Sequence, residues 1–185
     1  MSRFLSHVAF AICSPILFAA VAADASGSPD PPTPPPTPKA APCTAPEYRQ
    51  FDFWVGNWNV ADPQGKAAGV NQIESILGGC VIRENWMGVG GMVGTSLNIY
   101  DAPAGKWRQS WVDSNGSVLL LAGDFHDGKM VLEGSRPLQK GGTVRHRISW
   151  QRIGGDPNRV RQLWEASRDD GKTWNVLFDG TYIRI

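Results

Sequence analysis

Apolar and polar positions alternate in short runs between residue 53 and the C-terminus, and turn residues separate the runs. Such alternation is typical of β-strands with one buried face, and no window after residue 50 keeps the 3.6-residue period of an amphipathic helix. The pattern predicts a short helical turn at 46–51 followed by ten strands. These strands are expected near 53–62, 68–77, 79–87, 93–101, 106–113, 117–126, 129–135, 142–153, 158–167 and 173–184.

The connections between these runs are short and rich in glycine. Asn115-Gly116 and Asp127-Gly128 are strong hairpin signals. Ten strands joined in sequence order, without room for a crossover helix, describe an antiparallel meander. Closing a meander removes its exposed edges, so the sequence predicts an all-β, up-and-down β-barrel. A sandwich of two sheets is the alternative architecture.

The last predicted hairpin carries a recognisable pattern. Ser167, Asp169, Gly171, Thr173 and Trp174 follow the spacing of the Asp-box, a hairpin repeated in sialidase-like propellers. The Ser and Asp side chains of such a turn bond local backbone groups. A propeller needs several copies, and this chain has one, so the pattern predicts a folded turn rather than a sialidase.

The N-terminal region separates into two segments before the barrel domain, which is expected over 47–185. Residues 1–25 combine Arg3, an apolar run and small residues near Ala23 and Ala25, which predicts a signal peptide cleaved after one of these alanines. A membrane anchor is the alternative, but the apolar run is short and contains Pro15. Prolines crowd residues 26–46, so this segment is expected to be an extended linker. The sequence therefore predicts an exported protein, periplasmic or secreted.

Charge and cysteine content narrow the function classes. The formal net charge is +1, which provides no basic field for nucleic acid and no polybasic membrane anchor. We expect no stable membrane insertion after signal cleavage, and the sequence leaves the oligomeric state open. Removal of the signal peptide leaves Cys43 and Cys80, for which an oxidising compartment favours one disulfide over two free thiols. No metal site is expected, since these cysteines have no nearby histidine.

Strand alternation assigns side chains to the barrel interior. In 142–153, Val144, His146, Ile148 and Trp150 share one apolar face, which should point inward. In 93–101, Leu97 and Ile99 compete with Ser96, Asn98 and Tyr100, so its phase stays open. The same test on the neighbouring strands gives an inner set of polar groups framed by tryptophans: Glu84, Gln109, Asp113, His146 and Gln162 with Trp86, Trp107, Trp111, Trp150 and Trp164. A tryptophan-lined cavity with a few polar groups is typical of a small-molecule site.

Several motifs carry a family resemblance. The segment Phe51-Asp-Phe-Trp-Val-Gly-Asn-Trp58 resembles the Gly-x-Trp first strand of lipocalin-like, calycin-type barrels, in which the Trp plugs one end. Together with Gly78-Gly-Cys80, Trp107-x-Gln-x-Trp111 and Gly171-Lys-Thr-Trp174, it is similar to an uncharacterised family of exported bacterial proteins with a domain of unknown function. A more distant similarity to nitrobindin-type haem barrels implies His146 as an axial ligand.

These observations support competing functions. The leading prediction is an exported protein that binds a small apolar or aromatic ligand between the tryptophans, oriented by Gln109, Gln162 and His146. The alternative is an enzyme, a hydrolase or isomerase, in which His146 pairs with Glu84 or Asp113 as a general base. Haem binding through His146 is a further alternative, and a fully packed structural barrel is the remaining one. The leading prediction needs no cofactor.

Overall fold

The computed structural model describes residues 42–138 and 141–185, which form ten β-strands and four short 3₁₀ helices. The strands are β1 (Gly56–Ala61), β2 (Ala67–Ile76), β3 (Val81–Gly88), β4 (Val93–Asp101), β5 (Lys106–Asp113), β6 (Val118–His126), β7 (Lys129–Pro137), β8 (Thr143–Arg152), β9 (Arg159–Ser167) and β10 (Asn175–Arg184). The 3₁₀ helices are Pro46–Arg49, Asp52–Trp54, Leu77–Gly79 and Ala102–Ala104.

The strands form one closed antiparallel barrel. Each pairs with its neighbours in sequence, and β1 pairs with β10 to complete the ring, with Val60 opposite Tyr182. The all-β, up-and-down barrel is therefore confirmed. The β6–β7 hairpin shows how the turn chemistry works. Asp127 and Gly128 both have positive φ, 51° and 74°, as a two-residue type I′ turn requires.

One end of the barrel is closed by aromatic side chains. Phe51 stacks on Trp54 with ring centroids 4.9 Å apart, and Trp58 donates from Nε1 to the Trp54 carbonyl at 2.9 Å. All three are fully buried. The guanidinium of Arg184 lies 4.2 Å from the Trp58 ring centroid and donates to the Val55 carbonyl, sealing this floor from outside.

The floor explains one wrong strand boundary. The predicted first strand began at residue 53, but Asp52–Trp54 forms a 3₁₀ helix and β1 begins at Gly56. The apolar residues Phe53 and Trp54 fit a strand pattern, which explains the wrong boundary. In the structure the 3₁₀ turn places the Trp54 ring in the aromatic core at the closed end of the barrel. Gly56 has φ of 148°, and a Cβ there would collide with the Arg184 guanidinium.

The disulfide between Cys43 and Cys80 is confirmed, with an S–S distance of 2.07 Å. It ties the segment before the first 3₁₀ helix to the residue preceding β3, across 37 positions of sequence. Arg49 adds a second tie by donating to the Gly79 carbonyl. The disulfide fits an oxidising compartment. The predicted signal peptide and most of the predicted linker lie outside the described residues.

The outer face carries ion pairs and an ordered hairpin. Three of its arginines pair with carboxylates: Arg145 with Glu133, Arg147 with Glu165 and Arg161 with Asp179. No helix in the described part of the chain has the length and apolar character to span a membrane.

The Asp-box sequence forms the expected turn. Ser167, fully buried, accepts from the Gly171 backbone at 2.8 Å, and Asp169 accepts from the Thr173 backbone at 2.9 Å. The Thr173 hydroxyl and backbone are the main groups that lower the pKa of Asp169 to about 2. Trp174 covers the turn and carries the Arg147 guanidinium 4.1 Å from its ring centroid. These contacts give the Asp-box residues a structural role in the turn between β9 and β10.

Candidate functional site

A cavity of about 240 Å³ lies inside the barrel above the floor. Its wall is mostly apolar and includes six aromatic side chains, Trp86, Trp111, Trp150, Trp164, Phe178 and Tyr182. Three polar side chains, Glu84, Gln109 and Gln162, also line it. Below it the interior is filled, since Trp54, Trp58 and Trp107 are at most 2% exposed. The barrel is thus packed at one end and hollow toward the other.

Glycines on the wall set the positions of the aromatic rings. A Cβ on Gly94 would overlap the Trp111 indole, and a Cβ on Gly69 would overlap that of Trp86. Neither glycine has a positive φ, so the requirement at these positions is space rather than backbone conformation. The missing side chains let the two rings lie close against the neighbouring strands, which leaves the centre of the barrel open.

A chain of hydrogen bonds crosses the wall and converges on Glu84. Gln109 donates from Nε2 to Asn98 Oδ1 at 2.8 Å, and Asn98 donates from Nδ2 to Ser96 Oγ at 3.0 Å. Ser96 then donates to Glu84 Oε2 at 2.7 Å. From the other side, Asn71 donates from Nδ2 to Glu84 Oε1, also at 2.7 Å. Both carboxylate oxygens therefore accept from neutral donors.

A second arm continues from Asn71 to the far wall. Asn71 also donates to the Tyr182 hydroxyl at 3.2 Å, and that hydroxyl donates to Gln162 Oε1. The side-chain oxygen of Gln162 accepts in this bond, and the side-chain nitrogen of Gln109 donates to Asn98. No hydrogen bond within the described residues involves the other amide atoms, Gln162 Nε2 and Gln109 Oε1. The cavity wall therefore offers an unused donor on Gln162 and an unused acceptor on Gln109, and the indole Nε1 of Trp150 in the same wall is also buried without a partner among the described residues.

Burial controls the ionisation of Glu84. The side chain is 4% exposed, and desolvation raises its pKa to about 7, against the opposing hydrogen bonds from Asn71 and Ser96. Burial, reinforced by the nearby charge of Glu84, also raises the pKa of Tyr182 well above its ordinary value. Glu84 thus changes charge near neutral pH, whereas Tyr182 stays protonated there.

His146 is buried on the inner face, as the alternation predicted, but its partner is Trp164. The indole Nε1 donates to His146 Nδ1 at 3.1 Å, so the proton of the neutral ring lies on Nε2. Nε2 is buried without a partner among the described residues. Burial is the main cause that lowers the pKa of His146, and the charge of Arg136 adds to it. The ring is therefore a neutral donor with an unused N–H.

The structure does not join His146 to either predicted carboxylate. Asp113 instead holds the β5–β6 turn, accepting from the Asn115 backbone at 2.9 Å and from Trp111 Nε1 at 3.2 Å. Glu84 bonds Asn71 and Ser96, as described above. No His146–carboxylate hydrogen bond occurs within the described residues, so the geometry of a general-base pair is not assembled.

The other predicted site residues divide between cavity and floor. Trp107 belongs to the floor, where its Nε1 donates to Gln50 Oε1 at 3.0 Å. The ligand-binding predictions that do line the cavity are Trp86, Gln109, Trp111, Trp150, Gln162 and Trp164. Sequence reasoning missed the network residues Asn71 and Tyr182 and left Ser96 and Asn98 open. Ser96 and Asn98 share one face of β4, which is one of the two phases that the sequence left open.

The side chains present do not fit a haem group. His146, the only axial ligand suggested by the sequence, does not line the cavity, and its Nδ1 is occupied by Trp164. The cavity volume also lies below the range of about 300–1,000 Å³ common for drug-sized ligands, so it leaves room for a compact molecule but not for a macrocycle as large as haem. Nor does any group of three His, Cys, Asp or Glu side chains in the described residues have the arrangement of a metal site.

Comparison with known proteins gives no matching family model and no matching curated protein. The resemblance to an exported bacterial family therefore rests on its motifs alone. The closed ten-stranded antiparallel barrel itself is compatible with a lipocalin-like architecture.

Proposed function

We propose that this protein binds a small, largely apolar molecule inside the barrel. The observation that carries the proposal is the aromatic cavity of about 240 Å³ above a filled floor. Concave, mostly apolar pockets with a few placed polar groups are the usual form of small-molecule sites. The volume suits a compact molecule of a few rings rather than a long lipid chain.

The polar groups of the wall give the ligand an orientation. Trp86, Trp111 and Trp164 offer ring faces and edges for stacking, which contribute beyond simple area burial. Gln109 Oε1 can accept a hydrogen bond from the ligand and Gln162 Nε2 can donate one, because neither atom has a hydrogen-bond partner among the described residues. A ligand with both hydrogen-bonding types satisfies two groups that are otherwise left without a protein partner.

We further propose that binding takes place outside the cytoplasm, in the periplasm or after secretion. The sequence signals at residues 1–25 suggest this location, and the Cys43–Cys80 disulfide supports it.

A matched pair of variants tests the binding site. Leu119 lines the cavity and is 4% exposed, whereas its neighbour Leu120 points outward and is 63% exposed. Leu119→Trp should fill the cavity and Leu120→Trp should leave it open. The probe is N-phenyl-1-naphthylamine, a neutral dye whose fluorescence rises in apolar surroundings. We expect wild type and Leu120→Trp to bind it alike and Leu119→Trp to bind it about tenfold more weakly or worse.

Near-ultraviolet circular dichroism of both variants establishes that they fold. If Leu119→Trp does not, Ile148→Phe serves as the cavity variant and its outward neighbour Ser149→Phe as the control. Equal dye affinity in folded cavity and control variants would place binding elsewhere and refute the proposal.

A further inference from the structure

Glu84 is the one carboxylate among the buried side chains of the described chain, and nothing there neutralises it. Within residues 42–138 and 141–185 every ion pair is formed by other side chains. Its two partners, Asn71 and Ser96, are neutral. A buried charge without a counter-ion is costly, so its presence in a cavity wall needs a reason.

The hydrogen bonds around Glu84 are oriented to hold a negative charge. Along one arm, Gln109, Asn98 and Ser96 each donate toward the carboxylate, and Asn71 donates from the other side. An amide nitrogen cannot accept a proton donor, so the Asn71 contact favours the carboxylate form. The network therefore prepares a negative charge at the edge of an apolar cavity and supplies no cation for it.

Aromatic rings lie next to this charge on the side toward the open end. Trp86 follows Glu84 by two residues on the inner face of β3, and Trp111 on β5 is the cross-strand partner of Ser96. The faces of such rings attract cations, more strongly when water is excluded. A carboxylate beside tryptophan rings attracts a positive charge attached to an apolar body.

We propose that the ligand is a protonated organic amine, with its ammonium group on Glu84 and its apolar body among Trp86, Trp111 and Trp164. The proposal rests on the binding function proposed above and specifies the chemical class of the ligand. An anionic ligand would be repelled by Glu84. A neutral ligand would leave the carboxylate unpaired, or would require it to be protonated.

The proposal has a consequence for pH. Because burial raises the pKa of Glu84 to about 7, the free protein carries a proton there in mild acid, and an ammonium ligand must displace it. The other buried titratable side chains of the described chain are Tyr182, whose pKa is raised well above 10, and His146, whose pKa is lowered. Asp113 lies at the rim, held in its turn. Among these buried groups, Glu84 is the one that titrates near neutral pH.

Isothermal titration calorimetry with two probes of the same shape tests the charge. The probes are 2-phenylethylamine, which is protonated near neutral pH, and 2-phenylethanol, which is neutral. Glu84→Gln removes the buried carboxylate, and Glu74→Gln is the matched control because Glu74 pairs with Arg83 and is half-exposed. We expect wild type and Glu74→Gln to prefer the amine by about tenfold or more. Glu84→Gln should lose that preference and bind the alcohol within about twofold of wild type.

The same titrations at lower pH add an independent readout. Amine affinity of the wild type should fall roughly tenfold for each pH unit below the pKa of Glu84, with proton release on binding, while Glu84→Gln should show no such dependence. Equal affinity for the two probes, or an amine preference that survives in Glu84→Gln, would overturn the amine assignment. Failure of both probes to bind would overturn it as well.

The dye experiment separates the two proposals. If N-phenyl-1-naphthylamine binds in a manner sensitive to Leu119→Trp but the amine is not preferred, the cavity binds ligands and only the charge class is wrong. If neither dye nor probes bind, the binding function itself fails.

Discussion

Replacing Glu84 with Gln should change how the stability of the protein depends on pH. The pKa of Glu84 is raised from 4.5 to about 7 in the folded protein, chiefly by burial. Between these two values the folded chain holds a proton that the unfolded chain has released. The free energy of unfolding therefore falls as pH rises through this window, and the stabilising contribution of the protonated carboxyl is complete only below about pH 4.5.

The size of the effect follows from the same two values. A difference of one in pKa corresponds to about 1.4 kcal/mol, so Glu84 should make the wild type about 3 kcal/mol less stable at pH 8 than at pH 4, compared with a variant that lacks the carboxyl. For a domain whose total stability is on the order of 10 kcal/mol, this change is large enough to measure.

Urea unfolding followed by tryptophan fluorescence at several pH values measures this contribution. The informative quantity is the free energy of unfolding of Glu84→Gln minus that of wild type at each pH. Groups common to both proteins, including His146 and Tyr182, cancel in this difference. We expect the difference to rise by about 3 kcal/mol from pH 4 to pH 8. A difference that stays constant with pH, or one that falls, would show that burial does not raise the pKa of Glu84.

Two further predictions concern the cavity wall and the disulfide. Gly94→Val should displace the Trp111 indole and weaken dye binding about tenfold, whereas Gly90→Val, in open space, should not; equal dye affinities would contradict the steric account. In protein isolated from its host, the mature chain should begin after residue 23 or 25, and Cys43 and Cys80 should resist thiol alkylation because they form a disulfide. Replacing both cysteines with Ser should lower the free energy of unfolding in urea by about 3–4 kcal/mol. An intact N-terminus or reactive thiols would contradict export.

The fold was accessible from the sequence because its signals are local. Alternation and Asp-Gly or Asn-Gly turns located all ten strands, and sequential hairpins implied the closed meander. The beginning of β1 was misplaced because the run Phe53-Trp54 satisfies a strand pattern. Its actual conformation depends on a packing partner distant in sequence, since the Trp54 ring lies 5.3 Å from that of Trp150.

The residues that line the cavity could be predicted from the sequence only in part. The alternation of apolar and polar residues correctly predicted that Gln109, Gln162 and the cavity tryptophans face inward. The inward face of strand β4 could not be assigned, because this strand buries its polar side chains and exposes its aliphatic ones. Leu97 and Ile99 are 50% and 40% exposed, while Ser96 and Asn98 are at most 1% exposed. Hydrophobicity alone favours the wrong face here, and the decisive information is the hydrogen-bond partners on β3 and β5, which only the register supplies.

The reversed strand β4 also bears on the choice between a binding protein and a structural barrel. A barrel selected only for stability gains most by filling its interior with apolar side chains, since buried polar networks seldom outperform them. Here Ser96 and Asn98 are buried, while Leu97 and Ile99 of the same strand are 50% and 40% exposed. Ser96 donates a hydrogen bond to Glu84 at the cavity wall, and Asn98 donates one to Ser96. That arrangement costs stability and yields one charged group facing an aromatic space, which is the expected exchange for a protein whose interior holds a ligand.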